Sequence, residues 1–174
     1  IDHYRRFLNS ARLLRCELDL TPDRLTEITI ELLSREGWRE NVYIRPLAYK
    51  DDDIFKLSLH GSRDRVAIFS QRMGTYIKSD GGASVCVSSW RRVDDTAIPA
   101  RGKVNGAYVN SALVKTDANL SGFDDAIVLN QDGHVSEGSA ANLMIIRDGV
   151  VITPPLNANL LEGITRHSLI TLIR

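Results

Sequence analysis

Ile98-Pro99-Ala100-Arg101-Gly102-Lys103-Val104-Asn105-Gly106-Ala107-Tyr108-Val109-Asn110-Ser111 is the segment on which the reading of this chain turns. Its first half carries Pro and Gly and reads as a link. Its second half places Val104, Ala107, Tyr108, Ala112 and Leu113 on the apolar side of a helix that extends to about Leu120. Lys103 stands where link becomes helix, five residues before Tyr108, about one and a half helical turns. An irregular helix start would let the amine and the phenol share one site. A nucleophilic amine needs its charge lowered by burial or neighbours, and a Tyr beside it can help to move protons. The same residues also fit a solvated Lys and a Tyr packed on the core.

Working outward, the segment separates two groups of elements. Upstream, Tyr4, Phe7, Leu8, Ala11 and Leu14 recur at helical spacing. Thr21-Pro22-Asp23 reads as the capped start of a second helix that ends at Gly37. Strands are expected over residues 42–49, 55–60, 65–70 and 84–89, with Pro46 marking an edge or a strand end. Downstream, short strands are expected over 125–130, 133–137, 141–147 and 150–153, separated by Gln131-Asp132-Gly133 and Asp148-Gly149 turns. A final helix follows Leu160-Leu161-Glu162-Gly163. Helices then strands, followed by a helix and more strands, make the fold class α+β, with two lobes meeting near residues 72–82.

Composition narrows the function. The 174 residues hold 22 Lys and Arg against 22 Asp and Glu, a formal net charge of +0, so no basic surplus points to nucleic acid. Apolar runs fall far short of a membrane span. Cys16 and Cys86 form no CxxC pair and read as free thiols, which fits a cytoplasmic setting. His3, His60, His134 and His167 lack metal-ligand spacing, so no metal is expected. The chain opens at Ile1 without Met and stops inside an apolar periodic segment, and it reads as an internal piece of a longer protein.

Three further places could carry chemistry. Glu137, between Ser136 and Gly138-Ser139-Ala140-Ala141-Asn142, puts a carboxylate at a strand end among small residues. That suits a cofactor's protonated ring nitrogen, and equally a turn with a solvated acid. Gly163-Ile164-Thr165 opens the last helix, either as a phosphate cradle or with Thr165 as an ordinary cap. Arg6 and Arg45 are candidate anion binders, with Tyr43 on the same strand face as Arg45. Arg91 and Arg92 read as ordinary solvated or interlobe arginines.

In order along the chain, Tyr43-Ile44-Arg45-Pro46-Leu47, Ser88-Ser89-Trp90, Ile98-Pro99 with Lys103, Gly106, Tyr108 and Asn110-Ser111 form one series. Ser136-Glu137-Gly138, Thr153-Pro154-Pro155 and Leu161-Glu162-Gly163-Ile164-Thr165-Arg166 continue it. From His3 to the last residue the chain resembles the branched-chain amino acid aminotransferases, pyridoxal 5'-phosphate enzymes of fold type IV, the D-amino acid aminotransferase-like fold. The resemblance implies most of a small N-terminal lobe over 1–75, an interlobe link over 76–82, and the first part of a large cofactor-binding lobe over 83–174. It implies that Lys103 is the Schiff-base lysine and proton carrier, that Glu137 pairs with the pyridine nitrogen, and that Tyr108 bonds the phenolic oxygen. Arg6, Ile164 and Thr165 would hold the phosphate, and Tyr43, Arg45 and Tyr76 would face the substrate. The implied reaction moves an amino group between L-leucine, L-isoleucine or L-valine and 2-oxoglutarate, in a homodimer or larger homo-oligomer. The alternatives are a D-amino acid aminotransferase, an aminodeoxychorismate lyase, or a relative that binds the cofactor without turnover. Ala140 and Ala141 depart from the family's usual Gly and acidic residue, and Ala140 is expected to restrict the loop near the cofactor.

Overall fold

The computed structural model describes residues 1–74 and 81–174, and Tyr76 lies outside the described residues. The chain divides into two compact units, Ile1–Tyr76 and Ile77–Arg174. Among the described residues, no helix is long and apolar enough to cross a membrane.

The first unit begins with two helices, α1 (Asp2–Leu13) and α2 (Pro22–Glu36). Tyr4 and Leu8 of α1, one turn apart, meet Leu25 of α2, and Phe7, Leu18, Leu20, Val66 and Ile68 close around them. The Tyr4 hydroxyl is hydrogen-bonded to Thr29 Oγ1, so the phenol end of the core is not left unpaired. Thr21 caps α2 by accepting the Arg24 amide at 3.1 Å, with Pro22 at the first helical position, and Gly37 ends the helix. Strands β1 (Val42–Lys50) and β2 (Asp64–Arg72) form an antiparallel pair in unbroken register from Val42↔Arg72 to Lys50↔Asp64. Pro46 sits inside β1, where its missing donor is tolerated because β2 is the only described neighbour.

The strand expected over 55–60 does not form. Phe55, Leu57 and Leu59 alternate, but no described strand lies beside them, and Phe55 and Leu57 stand fully exposed. Charges shape this β1–β2 connection instead. Arg63 bonds the Asp51 carbonyl and the Asp53 carboxylate, Arg65 holds the Asp51 carboxylate at 3.0 Å, and Lys56 reaches Asp52 at 3.3 Å.

The second unit is built on β3 (Val85–Arg91), α3 (Tyr108–Leu120), β4 (Asp125–Leu129) and β5 (Val135–Gly138). β3 and β4 run parallel and β5 joins β4 antiparallel, giving the order β3-β4-β5. A parallel pair needs a crossover, and α3 supplies it. Val114 and Ala118 of α3 pack on Ala126 and Val128 of β4, with Cys86 of β3 against them. Both cysteines are free. The strand expected over 141–147 shortens to β6 (Ile145–Arg147), which pairs with β7 (Val150–Ile152). Its first four residues are used elsewhere: Asn142 bonds Glu137 and Leu161, and the Leu143 carbonyl accepts from Thr153 Oγ1 at 2.8 Å. The β6–β7 turn has φ 51° at Asp148 and 76° at Gly149, the pair of positive angles of a two-residue turn matched to strand twist. Helix α4 (Ile164–Ile173) follows.

Candidate active site

The connection from β3 to α3 leaves the carboxyl end of a parallel strand, the place where α/β sheets expose their loops to ligands. Its own side chains fix it. Asp94 accepts the Thr96 amide at 2.8 Å and the Thr96 hydroxyl at 2.6 Å, and Asp95 accepts the Ala100 amide at 2.7 Å. The Thr96 hydroxyl, then its amide, holds the Asp94 carboxyl below the usual carboxylate range, with Asn159 adding a contact at 3.2 Å. Beyond Lys103 the chain winds one tight turn of 3-10 helix, Asn105–Ala107, before α3 begins at Tyr108. This is the irregular start that the five-residue spacing requires. The tighter winding brings the two side chains together, and Lys103 Nζ donates to Tyr108 Oη at 2.6 Å, 4.9 Å from the ring centroid.

Glu137 lies opposite Val128 on β5, an outer strand of the three-stranded sheet, rather than on a solvated turn. It is 6% exposed. Its Oε1 faces Arg92 Nε at 2.8 Å, and its Oε2 receives the Asn142 side-chain amide and the Leu161 backbone amide, each at 3.2 Å. Burial pushes the Glu137 carboxyl above its ordinary range, while the Arg92 charge, the Leu161 N–H and the Lys103 charge act in the opposite sense. The hydroxyls of Ser136 and Ser139, one and two residues away, are buried without a hydrogen-bond partner.

Arg92 corrects the sequence reading. It is 6% exposed and ion-paired, not solvated. Its backbone is held as well, since its N–H donates to the Leu129 carbonyl at 2.8 Å and its carbonyl accepts from Gln131. No local pattern separates Arg92 from Arg91. The distinction follows from strand register, which turns one of two adjacent side chains inward. Ala140 adopts no left-handed backbone, so an alanine fits the conformation found at this position.

Helix α4 starts at Ile164 with no side-chain cap, so its first-turn amides remain available to an anion. Thr165 lies in that turn without capping it, contrary to the ordinary-cap alternative. Arg166 is buried and anchors the turn by donating to Thr153 Oγ1 at 3.2 Å and to the Pro154 carbonyl at 2.9 Å. Asn142 Oδ1 accepts the Gly163 amide at 3.0 Å. Thus Lys103 and Tyr108 touch directly, while Glu137 reaches the Gly163-Ile164-Thr165 turn through Asn142. Asn142 and Arg166 were not singled out from sequence. Their signal was present in the polar residues of Ala141-Asn142-Leu143 and Ile164-Thr165-Arg166, without any clue to burial.

The remaining candidates lie in the first unit. Arg6 is half-buried on α1, where its carbonyl accepts the Ser10 hydroxyl at 2.8 Å. Tyr43 and Arg45 share a face of β1, as the two-residue period requires. Arg45 Nε donates to Tyr43 Oη at 3.3 Å and its guanidinium lies 5.5 Å from the ring centroid.

This arrangement has close counterparts. The profile of amino-transferase class IV matches residues 2–174. A protein of Aquifex aeolicus named "Probable branched-chain-amino-acid aminotransferase" is 49% identical over 173 residues, spanning 99% of this chain and 56% of the relative. The crystal structure of a branched-chain aminotransferase from Thermoproteus uzoniensis with norvaline superposes with a TM-score of 0.94 at 38% identity, over 98% of this chain and 57% of that one. The PLP-form of the Thermobaculum terrenum branched-chain amino acid aminotransferase gives a TM-score of 0.92 at 34% identity, over 99% and 56%. The chain spans a little over half the length of these relatives. With its fold type IV architecture, it belongs to the class IV aminotransferase family.

Proposed function

We propose that the whole protein is a pyridoxal 5'-phosphate-dependent branched-chain amino acid transaminase, exchanging amino groups between L-leucine, L-isoleucine or L-valine and 2-oxoglutarate. The observation that carries this reading is the Lys103–Tyr108 contact at 2.6 Å in the same unit as the buried, ion-paired Glu137. The residues fit the cofactor's chemistry. An amine, a phenol, a buried carboxylate, an uncapped helix start and two unpartnered buried hydroxyls suit a ligand with an aldehyde, a phenolic oxygen, a ring nitrogen and a phosphate.

When bound, the cofactor supplies an electrophilic carbon and an electron-withdrawing ring. Lys103 Nζ is the nucleophile, and once free it removes and returns the proton at the substrate α-carbon. Tyr108 Oη receives the Lys103 hydrogen bond and bonds the phenolic oxygen, helping to hold the amine ready. The Glu137 carboxylate keeps the ring nitrogen protonated, and Arg92 and the Leu161 amide keep Glu137 itself in the charged form that this role demands. The amides of Ile164 and Thr165 take the phosphate, joined by Arg6. Tyr43 and Arg45, with Tyr76, orient the substrate. Burial of Glu137 away from water favours its charge pairing over hydration.

The same reading includes a homodimer or larger homo-oligomer, to which exposed Ile54, Phe55 and Leu57 would contribute apolar surface. A cytoplasmic location accords with the two free thiols.

The test uses the full-length protein loaded with cofactor. L-leucine with 2-oxoglutarate should be turned over, and borohydride should fix the cofactor to the peptide bearing Lys103. Lys103→Ala should abolish both, lowering turnover by at least about a thousandfold. Preference for D-alanine or aminodeoxychorismate over L-leucine would assign the protein to one of the other fold type IV activities. Cofactor binding without amino transfer to any of these would leave a non-catalytic relative.

A further inference from the structure

The Asn142 side chain makes three contacts that allow only one orientation of its amide. Nδ2 donates to Glu137 Oε2 at 3.2 Å and to the Leu161 carbonyl at 2.8 Å, while Oδ1 accepts from the Gly163 amide at 3.0 Å. Flipping the amide would set its oxygen against two acceptors and its N–H groups against a donor. The hairpin end that delivers Asn142 is itself tied, since the Gly138 amide donates to the Ala141 carbonyl at 2.7 Å. Gly163 is shaped to this side chain, because a Cβ there would collide with Asn142 Oδ1. The same helix start is also held by Arg166 through Thr153 and Pro154.

We infer that Asn142 is a positioning residue that fixes the spacing between the Glu137 carboxylate and the first turn of α4, and so selects a ligand with a ring nitrogen and a phosphate at matching separation. The inference rests on the proposed function of the site. One short side chain bonds both ends of this ruler. Displacing α4 therefore moves the donor on Glu137, and losing the whole side chain releases both the carboxylate and the helix start. Oε2 receives its second N–H from Leu161, two residues before Gly163, so the backbone repeats the same linkage.

Coupling predicts a signature that simple loss of stability does not. In the full-length protein, dissociation constants are measured for pyridoxal 5'-phosphate and for pyridoxal, which lacks the phosphate. Asn142→Ala should weaken the phosphorylated compound roughly tenfold more than pyridoxal, the scale of one lost hydrogen bond to a charged group. Asn142→Asp keeps an acceptor for Gly163 but removes the donor and places a second carboxylate beside Glu137. It should retain most of the preference for the phosphate while moving the pH dependence of the bound cofactor's absorbance to higher pH. If Asn142→Ala does not fold, the Asp variant carries the test through that pH shift. Equal weakening of both compounds by Asn142→Ala, or an unmoved pH dependence in Asn142→Asp, overturns the coupling. A wild-type protein that takes up neither compound overturns the reading of the site itself.

Discussion

Arg92 and Glu137 form a buried ion pair with both side chains 8% exposed, so removing one partner strands the other. Burial already pushes the Glu137 carboxyl upward against the pull of Arg92. A carboxyl raised on folding contributes its stability below its unfolded value, near 4.5, and loses it as pH rises through the folded value. Arg92→Met removes the largest counterweight, which widens that window upward. We expect the full-length apoprotein carrying Arg92→Met to lose about 3 kcal/mol at pH 7, the scale of a broken buried pair. The deficit should shrink towards pH 4.5 as Glu137 takes up its proton, and urea unfolding across pH checks this. A deficit independent of pH would show that lost packing, not the bare carboxylate, is responsible. Glu137 itself was legible as a site because small residues surround it. Arg92 was not, since its importance lies in a partner 45 positions away in sequence.

At the scale of elements, local chemistry was read with few errors. Thr21-Pro22 caps α2 as written, and Asp148-Gly149 makes the turn its composition demands. Thr21→Ala should cost about 1 kcal/mol, with faster amide hydrogen exchange confined to the first turn of α2. The Arg24 amide, which loses its acceptor, should show the largest change. The error over 55–60 has a simple origin. Alternation of Phe55, Leu57 and Leu59 is the pattern of a half-buried strand, but a strand also needs an edge to pair with. Here the segment pairs with neither outer edge of the β1–β2 sheet, and Arg63 and Arg65 shape the connection instead through Asp51 and Asp53. The shortening of β6 has the same kind of cause, since Asn142 gains more partners by leaving the strand than by joining it.

For the whole molecule, each of the two units has its own helix-and-strand core and its own set of candidate residues. Lys103, Tyr108, Glu137 and the α4 start belong to the second, and Arg6, Tyr43 and Arg45 to the first. The exposed apolar side chains at the β1–β2 connection belong to assembly in our reading. Replacing Phe55 and Leu57 together by Ser should weaken self-association of the full-length protein about a hundredfold, from roughly 3 kcal/mol of lost apolar burial. Sedimentation equilibrium measures it. Unchanged association would place the subunit contact elsewhere.

What the amino-acid sequence determined by itself was whatever short-range physics controls. Helix periods, caps, turn residues and the adjacency of Lys103 and Tyr108 depend on neighbours within a few positions, and the ordered motifs pointed to one family. Only the tertiary structure decided which charges lie buried. Arg92 and Arg166 resemble surface residues until strand register and loop closure carry them out of water, and Asn142 until it is half-buried. There an unpaired charge or amide is costly, and each must find a partner far along the chain.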